Sequence, residues 1–534
     1  MVSVAAQILR LKTLKSKRSN WDTLWQEIAD YAYPNRADFT SKRASGEVRN
    51  QKIFDSTAGY ANELLASGLH GMLTNPATIW ASLLMADPAL NENPDIKKWL
   101  FDARAIMFEE INDPKAGFSS AMHEVYMDYG AFCTAILFVG ERKDRKGLVF
   151  NARSLTESYI AENSDGLVDT LFRTWSWSLR QVLQEWDVKL LSPKLQKLAG
   201  KEKFDTEVEL LHVIEPRTKR DTEGVTAKDM PIASIFIEVQ TKHQIRESGY
   251  QEQPMMAPRF AKSTSGEVYG RGPGVTTLPD GKMLQAMMKT TIKAAQKVVD
   301  PTLFVEDDSI IGTLRSVPAG INYYRRGRAL PVPLQTGGRI DIGEAMMDGV
   351  RARIRERFFI DQLQLQQGPQ MTATEVLQRT EEKLRLMGPM LGRLQTELLG
   401  PMIDRVFSLL LRQGKFPEVP EVLKGMKIKI EYESPIARAQ KQLEASGILR
   451  TFDIMSSMIQ VDPTIMDGFD GDAAFKHIGM DLHGINPKLY RSQDDIDAIR
   501  EQRAEVNRRD VALQQGQSAA NIENTQAQAE AAGG

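Results

Sequence analysis

The chain has 534 residues, 42% hydrophobic and 26% charged, with a formal net charge of -2. That length exceeds what one core serves, so two or more structural regions are expected, and the near-neutral charge argues against a protein that coats nucleic acid, which would be strongly basic. There is no apolar run long enough to cross a bilayer and no apolar signal-peptide core at the N-terminus, so the chain is expected to be made and used in a cytoplasm.

Residues 1 to 34 read as a helix, with Ile8, Leu11, Leu14, Trp21, Leu24, Trp25 and Ile28 at helical spacing and Pro34 as the stop. A polar, basic stretch, Asn35 to Lys52, follows and reads as an exposed loop in preference to a partner-contacting arm. Thr57 to Leu73 gives an amphipathic helix closed by Asn75-Pro76, and Pro94 to Ile111 and Phe118 to Gly130 fit two more. From Phe132 the period changes: Thr134 to Gly140, Leu148 to Asn151, Ser158 to Glu162 and Val168 to Trp177 are β-rich runs separated by turn clusters, consistent with an antiparallel sheet. A helix, Ser178 to Trp186, and a charged linker lead to strands at Val208 to Ile214 and Ile232 to Val239. Trp175, Trp177 and Trp186 are expected to anchor a core rather than to stack on bases.

The next stretch organises the rest. A helix over Pro279 to Val299 carries Leu284, Met288, Ile292, Ala295 and Val299 on one face and Lys282, Lys289, Lys293 and Lys297 on the other. A second helix, Gly343 to Gln364, carries Met346, Val350, Ile354 and Phe358 with Arg351, Arg353, Arg355 and Arg357 interleaved, which suggests an antiparallel hairpin. The insert between them is rich in Pro and Gly and forms at most short strands such as Leu303 to Val305. From Ser309 to Ile340 it holds Arg315, Arg325, Arg326, Arg328 and Arg339 and no acid, a local positive field. The polar loop Gln364 to Met371 then runs into Thr372-Ala373-Thr374-Glu375, a capping-box pattern, and a long helix with a kink or break expected at each of Gly388-Pro389 and Gly400-Pro401. Beyond it come a strand, Lys427 to Tyr432, helices at Ala437 to Ile459 and Ala473 to Gly479, and a tail that is polar from Gln493.

Catalytic signatures are lacking. Cys133 stands alone in an apolar setting and reads as a buried thiol; the six histidines show no zinc spacing, and no metal or cofactor is expected. There is no phosphate-binding loop, and the glycine cluster Gly266 to Gly274 reads as a turn. The acidic run Glu306-Asp307-Asp308 reads as a surface turn rather than a metal-dependent nuclease centre.

The order helix, insert, helix, polar loop, long kinked helix resembles the portal, or head-to-tail connector, proteins of short-tailed bacteriophages. So do the strings WDTLWQEIADYAYP (Trp21 to Pro34), Asp55-Ser56-Thr57 through Leu64-Leu65-Ala66-Ser67-Gly68-Leu69 to Leu73-Thr74-Asn75-Pro76 and Trp80, Tyr269-Gly270-Arg271-Gly272-Pro273-Gly274, and Met371-Thr372-Ala373-Thr374-Glu375-Val376. The resemblance implies a mainly α fold with an antiparallel β region (α+β), organised as wing, stem, clip and crown and assembled as a ring of twelve. It implies a wing over 1–276, stem helices at 277–299 and 343–364, a clip at 300–342, a tunnel loop at 365–371, a long kinked helix returning over 372–433, and a crown with a helical tail at 434–534.

The implied function is a non-enzymatic channel at one capsid vertex, packaged through by a separate terminase motor and later used for ejection. Double-stranded DNA, the terminase large subunit, tail adaptor or nozzle proteins, the major capsid and scaffolding proteins and internal core proteins are the implied partners; the site would be the virion, after assembly in the host cytoplasm. Lys282, Lys289, Lys293 and Lys297, with Gln364, Gln366, Gln367 and Gln370, would line the channel, and the five insert arginines would dock motor or adaptor. Two plainer readings stay open: a lysine row that is only a solvated face or meets a neighbour's acids, and a scaffold or adaptor of another helical assembly with no channel.

Overall fold

A computed structural model describes residues 3–513 other than 42, 45, 144–145, 222–223, 225, 265, 306, 308, 315–320, 328, 334–339, 364–385, 424–427, 433–434, 459–468, 483–488 and 492–494. The fold is α+β, with helices set around antiparallel sheets. It divides into two compact units, one of Met1–Ser82, Arg104–Pro417 and Ile430–Ile436, the other of Leu83–Ala103, Glu418–Lys429 and Ala437–Gly534.

In the first unit, α1 (Val4–Ala32) begins where the Ser3 hydroxyl accepts from the Ala6 amide, a side-chain N-cap. Helices α2 (Thr57–Leu73) and α4 (Phe118–Phe132) follow in the same unit, whereas a short strand β1 (Ala81–Met85) and helix α3 (Pro94–Asn112) are divided between the two units. The basic loop after α1 is neutralised within the fold: Arg43 and Lys52 both reach the buried Asp30 carboxylate, and Arg49 reaches Asp38.

Strands β2 (Leu137–Glu141) and β3 (Leu148–Ala152) pair antiparallel, and β9 (Met255–Met256) joins β2. Strands β4 (Ser158–Glu162), β5 (Val168–Ser178), β6 (Glu207–Pro216), β7 (Ile232–Glu238) and β8 (His243–Tyr250) form a five-stranded antiparallel meander. Because side chains alternate along a strand, Leu211 and Val213 of β6 meet Ile8 and Leu11 of α1 on one face, while Val208 and Leu210 face the other. On that second face Trp175 and Trp186 are buried and Trp177 packs against them, so these tryptophans are core anchors.

The expected charged linker after α5 (Leu179–Glu185) contains a helix, α6 (Pro193–Gly200), started by Ser192 as N-cap and Pro193 at the first position. The sequence reading also omits β8, an edge strand in which only Ile245 of eight residues is buried, so its polar, exposed residues obscure the period.

Helix α7 (Pro273–Val299) starts six residues before the expected Pro279, which lies inside it. Pro273 supplies the start, since a proline at the first helical position loses no hydrogen bond. The glycines before it permit close backbone packing rather than anion binding: a Cβ on Gly274 would stand 1.8 Å from the Ala131 carbonyl oxygen, and one on Gly270 2.3 Å from that of Cys133. Cys133 is fully buried, as its apolar setting predicts, and burial pushes its thiol up to about 12.

Among its described residues the insert holds two small antiparallel ribbons, β10 (Leu303–Phe304) with β13 (Val332–Pro333) and β11 (Ile310–Ile311) with β12 (Tyr323–Tyr324). The expected helix 343–364 is in fact two: α8 (Ile340–Arg357) stops at a turn in which Phe359 is left-handed (φ 58°), and α9 (Ile360–Leu363) follows. Residues 386–394 are helical through Gly388-Pro389, so that pair makes no break there. The expected interruption at Gly400-Pro401 takes the form of a π turn over Gln395–Leu399, in which the Gly400 amide donates to the Gln395 carbonyl ahead of α10 (Gly400–Arg412).

The second unit includes α11 (Pro435–Met458) beyond its first two residues, and α12 (Gly471–Lys476), capped by the Asp470 carboxylate. Residues 495–513 are helical, and strand β14 (Ile428–Tyr432) precedes α11.

Candidate functional site

Helices α7 and α8 form the antiparallel pair that the sequence suggests. Arg357 Nη1 donates to the Thr276 carbonyl at 3.3 Å, Arg353 Nη2 donates to Asp280 Oδ1 at 3.5 Å, and Gly343 lies opposite Thr291, so positions rising on one helix meet positions falling on the other.

The root of the pair is tied to α2 by a buried carboxylate. Asp55 Oδ2 accepts from Arg351 Nε at 2.9 Å, with Nη2 at 2.7 Å, and Asp55 Oδ1 accepts from the Thr57 amide at 2.9 Å. Gln285 of α7 closes the same knot: its Oε1 accepts from the Phe54 and Asp55 amides at 2.6 and 2.9 Å, and its Nε2 donates to the Asp55 carbonyl at 2.6 Å. Burial alone would raise the Asp55 carboxyl, but its hydrogen bonds to Thr57 and Arg351 and the Arg351 charge bring it below the ordinary carboxylate value.

A second buried node holds the returning helix. Arg259, 1% exposed, donates from its backbone amide and side chain to Glu397 of the π turn and also pairs with Glu162 of β4. Farther along, Arg405 and Arg412 of α10 clamp Glu252 just after β8 at 2.7 and 2.6 Å.

Of the lysine row, Lys282 is partly exposed and paired with Glu27 of α1 at 2.6 Å. Lys289 is exposed, its ammonium 5.6 Å from the centre of the Phe54 ring, and Lys293 and Lys297 are exposed farther along α7. The opposite stripe is buried only at the root: Leu284 is fully covered, whereas Ile292, Val298 and Val299 are 40, 57 and 86% exposed and Met346 of α8 is 61% exposed. Val350, Ile354 and Phe358 are buried.

Arg325 and Arg326 are exposed on the insert, among the exposed side chains of Phe304, Ile311, Tyr323 and Tyr324. Arg315, Arg328 and Arg339 lie outside the described residues, as do Gln364, Gln366, Gln367 and Gln370, the 372–375 capping box, Glu306 and Asp308. Among the described residues no cluster of His, Cys, Asp and Glu suits a metal ion, and no helix is long and apolar enough to cross a membrane.

The sequence reading missed Gln285, Arg259 and Glu397 as organising residues, and nothing in their local pattern marks them. Asp55 does carry a signal, because Asp55-Ser56-Thr57 sits just where α2 must be started.

The family model described as bacteriophage head to tail connecting protein matches residues 5–490. The chain is 29% identical over 521 residues to a portal protein of Salmonella phage epsilon15, an alignment covering 96% of this chain and 93% of that one. It is 30% identical over 509 residues to a probable portal protein of Bordetella phage BPP-1, covering 92% and 89%.

Proposed function

Since the chain belongs to the bacteriophage head-to-tail connecting protein family, we propose that it assembles as a ring of twelve at one capsid vertex and forms the channel through which double-stranded DNA is packaged and later ejected. In this reading residues 1–276 form the wing, 277–299 and 343–364 the two stem helices, 300–342 the clip, 365–371 the tunnel loop, 372–433 the return to the wing, and 434–534 the crown and tail. A terminase motor supplies the energy, tail adaptor or nozzle proteins dock on the clip, and capsid, scaffolding and internal core proteins surround the wing and crown. The chain itself acts structurally, without catalysis.

The observation that carries the reading is the two-sided character of α7. Its far end leaves Ile292, Val298 and Val299 uncovered in one chain, an apolar strip that a neighbouring copy would bury, while Lys289, Lys293 and Lys297 stand free of that strip. Repeated around a ring, each lysine becomes a belt of charge. The channel must not hold DNA tightly, since every neutralised phosphate adds affinity and therefore drag. Sparse lysines on the stem and uncharged glutamines at the loop suit that demand.

Particle images of the purified chain test the assembly. Closed rings with an axial hole are expected. A monodisperse monomer at micromolar concentration, unchanged by salt, would overturn the reading.

A further inference from the structure

We infer that the turn Phe358–Leu363 is a seat fixing the direction in which the chain leaves the stem for the 365–371 loop, and that Gly68 of α2 is the notch that receives it. Gly68, Phe359 and Leu363 are then positioning residues for the channel. The inference rests on the reading of 365–371 as a loop that faces DNA.

Three features of the turn converge. Phe359 is left-handed (φ 58°), a conformation rare for an aromatic residue and kept only where its surroundings impose it. Those surroundings are specific: Phe358 and Ile360 are buried on either side, and the Phe359 ring stacks on Phe260 with centroids 6.1 Å apart and planes 27° from parallel. Phe260 in turn lies against Tyr129 of α4, centroids 5.3 Å apart, in a space that exists because position 272 is glycine; a Cβ there would stand 2.6 Å from the Phe260 ring.

The turn is also closed on itself, since the Phe359 carbonyl accepts from the amides of Gln362 and Leu363, both at 3.1 Å. Leu363 then enters α2 at Gly68: a Cβ on Gly68 would lie 2.9, 3.0 and 3.2 Å from Leu363 Cδ2, Cδ1 and Cγ. Glycine is a poor residue for a helix interior, and at Gly71, one turn on, a Cβ would meet nothing within 4 Å. The close approach of Leu363 therefore gives a physical reason for glycine at 68. Leu363 stands two positions before residue 365 in the sequence, so the seat acts on the loop's point of departure.

The test is a compensating pair. Gly68→Ala, Leu363→Ala and the double variant are placed in the full chain and compared for ring formation and for DNA retained after packaging. All three should form rings. Each single change should lower retention about tenfold, and the double variant should recover most of the loss, because the two side chains share one space. A merely structural role predicts equal retention by all rings that form.

Wild-type retention by both single variants, or a double variant no better than either, overturns the proposal. If Gly68→Ala yields no rings, Leu363→Ala, which only removes atoms, decides alone: reduced retention supports the seat and wild-type retention overturns it. Glycine at Gln366, Gln367 and Gln370 separates the seat from its premise. If those loop variants retain DNA as wild type does, the premise falls and the proposal with it; if they fail while the seat variants do not, the seat alone falls.

Discussion

Asp55 and Arg351, 296 residues apart in sequence, share an ion pair at 2.7 Å that joins the start of α2 to the second helix of the hairpin. Asp55→Asn keeps the shape and removes the charge, leaving Arg351 with Asp348, its other partner, also at 2.7 Å. The expected loss is about 1–3 kcal/mol at neutral pH, measured as a lowered denaturant midpoint. Because the folded carboxyl lies below its ordinary value, the stability it contributes is present above that value and disappears as pH falls through the folded one. The wild type should therefore lose more stability than the variant on acidification below about pH 4.

A carboxyl with the opposite sign sits in α4. Asp128 is fully buried, and burial foremost, with Glu124 adding and Arg36 opposing, pushes it up to about 7. Between the ordinary carboxylate value and that point the folded chain holds a proton that the unfolded chain releases. Stability should therefore fall as pH rises across this window, by up to about 1.4 kcal/mol per pH unit. Asp128→Asn cannot ionise, so its unfolding midpoint should vary less between pH 5 and pH 8. Equal pH slopes in both proteins would count against a protonated Asp128.

Much of this architecture is legible in the sequence where local signals and tertiary packing agree. The α2 boundaries and β4 are recovered because Asn75-Pro76 ends one and turn residues flank the other. The misses fall where long-range contacts decide. Phe358 continues a helical stripe, yet the next residue turns left-handed to place its ring on Phe260, a partner 99 positions earlier that periodicity cannot reveal. The helix runs on through Gly388-Pro389, whereas Pro401 is accommodated by a π turn whose Glu397 is held by Arg259. The lysine row was visible as a row; that Lys282 alone meets Glu27 depends on where α1 crosses α7.

On the proposal that the insert docks a motor or adaptor, docking should proceed with electrostatic help. Arg325 and Arg326 are exposed beside apolar side chains, with Arg328 two residues on, a combination that steers an acidic surface before apolar contact forms. Replacing all three with Glu should slow association with a motor or adaptor at least about tenfold at low salt and flatten its salt dependence. Stopped-flow association across an ionic-strength series gives the answer; unaltered rates would show that the arginines serve only the fold of the insert.

The lysine row offers the sharpest contrast between a channel lining and a solvated helix face. Lys289, Lys293 and Lys297 are exposed, so changing all three to Ala should move chain stability by no more than about 0.5 kcal/mol per site. If they face DNA, the packaging rate of rings carrying the triple change should depend less steeply on salt, because fewer counterions are exchanged with each phosphate encounter. Lys282 provides the internal control. Its pair with Glu27 is partly exposed and worth at most about 1 kcal/mol, so Lys282→Ala should alter folding slightly and the salt dependence of packaging less than the triple change does. A solvated face predicts the same salt dependence for every variant, and a row that meets acids of a neighbouring copy predicts rings that fall apart with the triple change before any DNA is added.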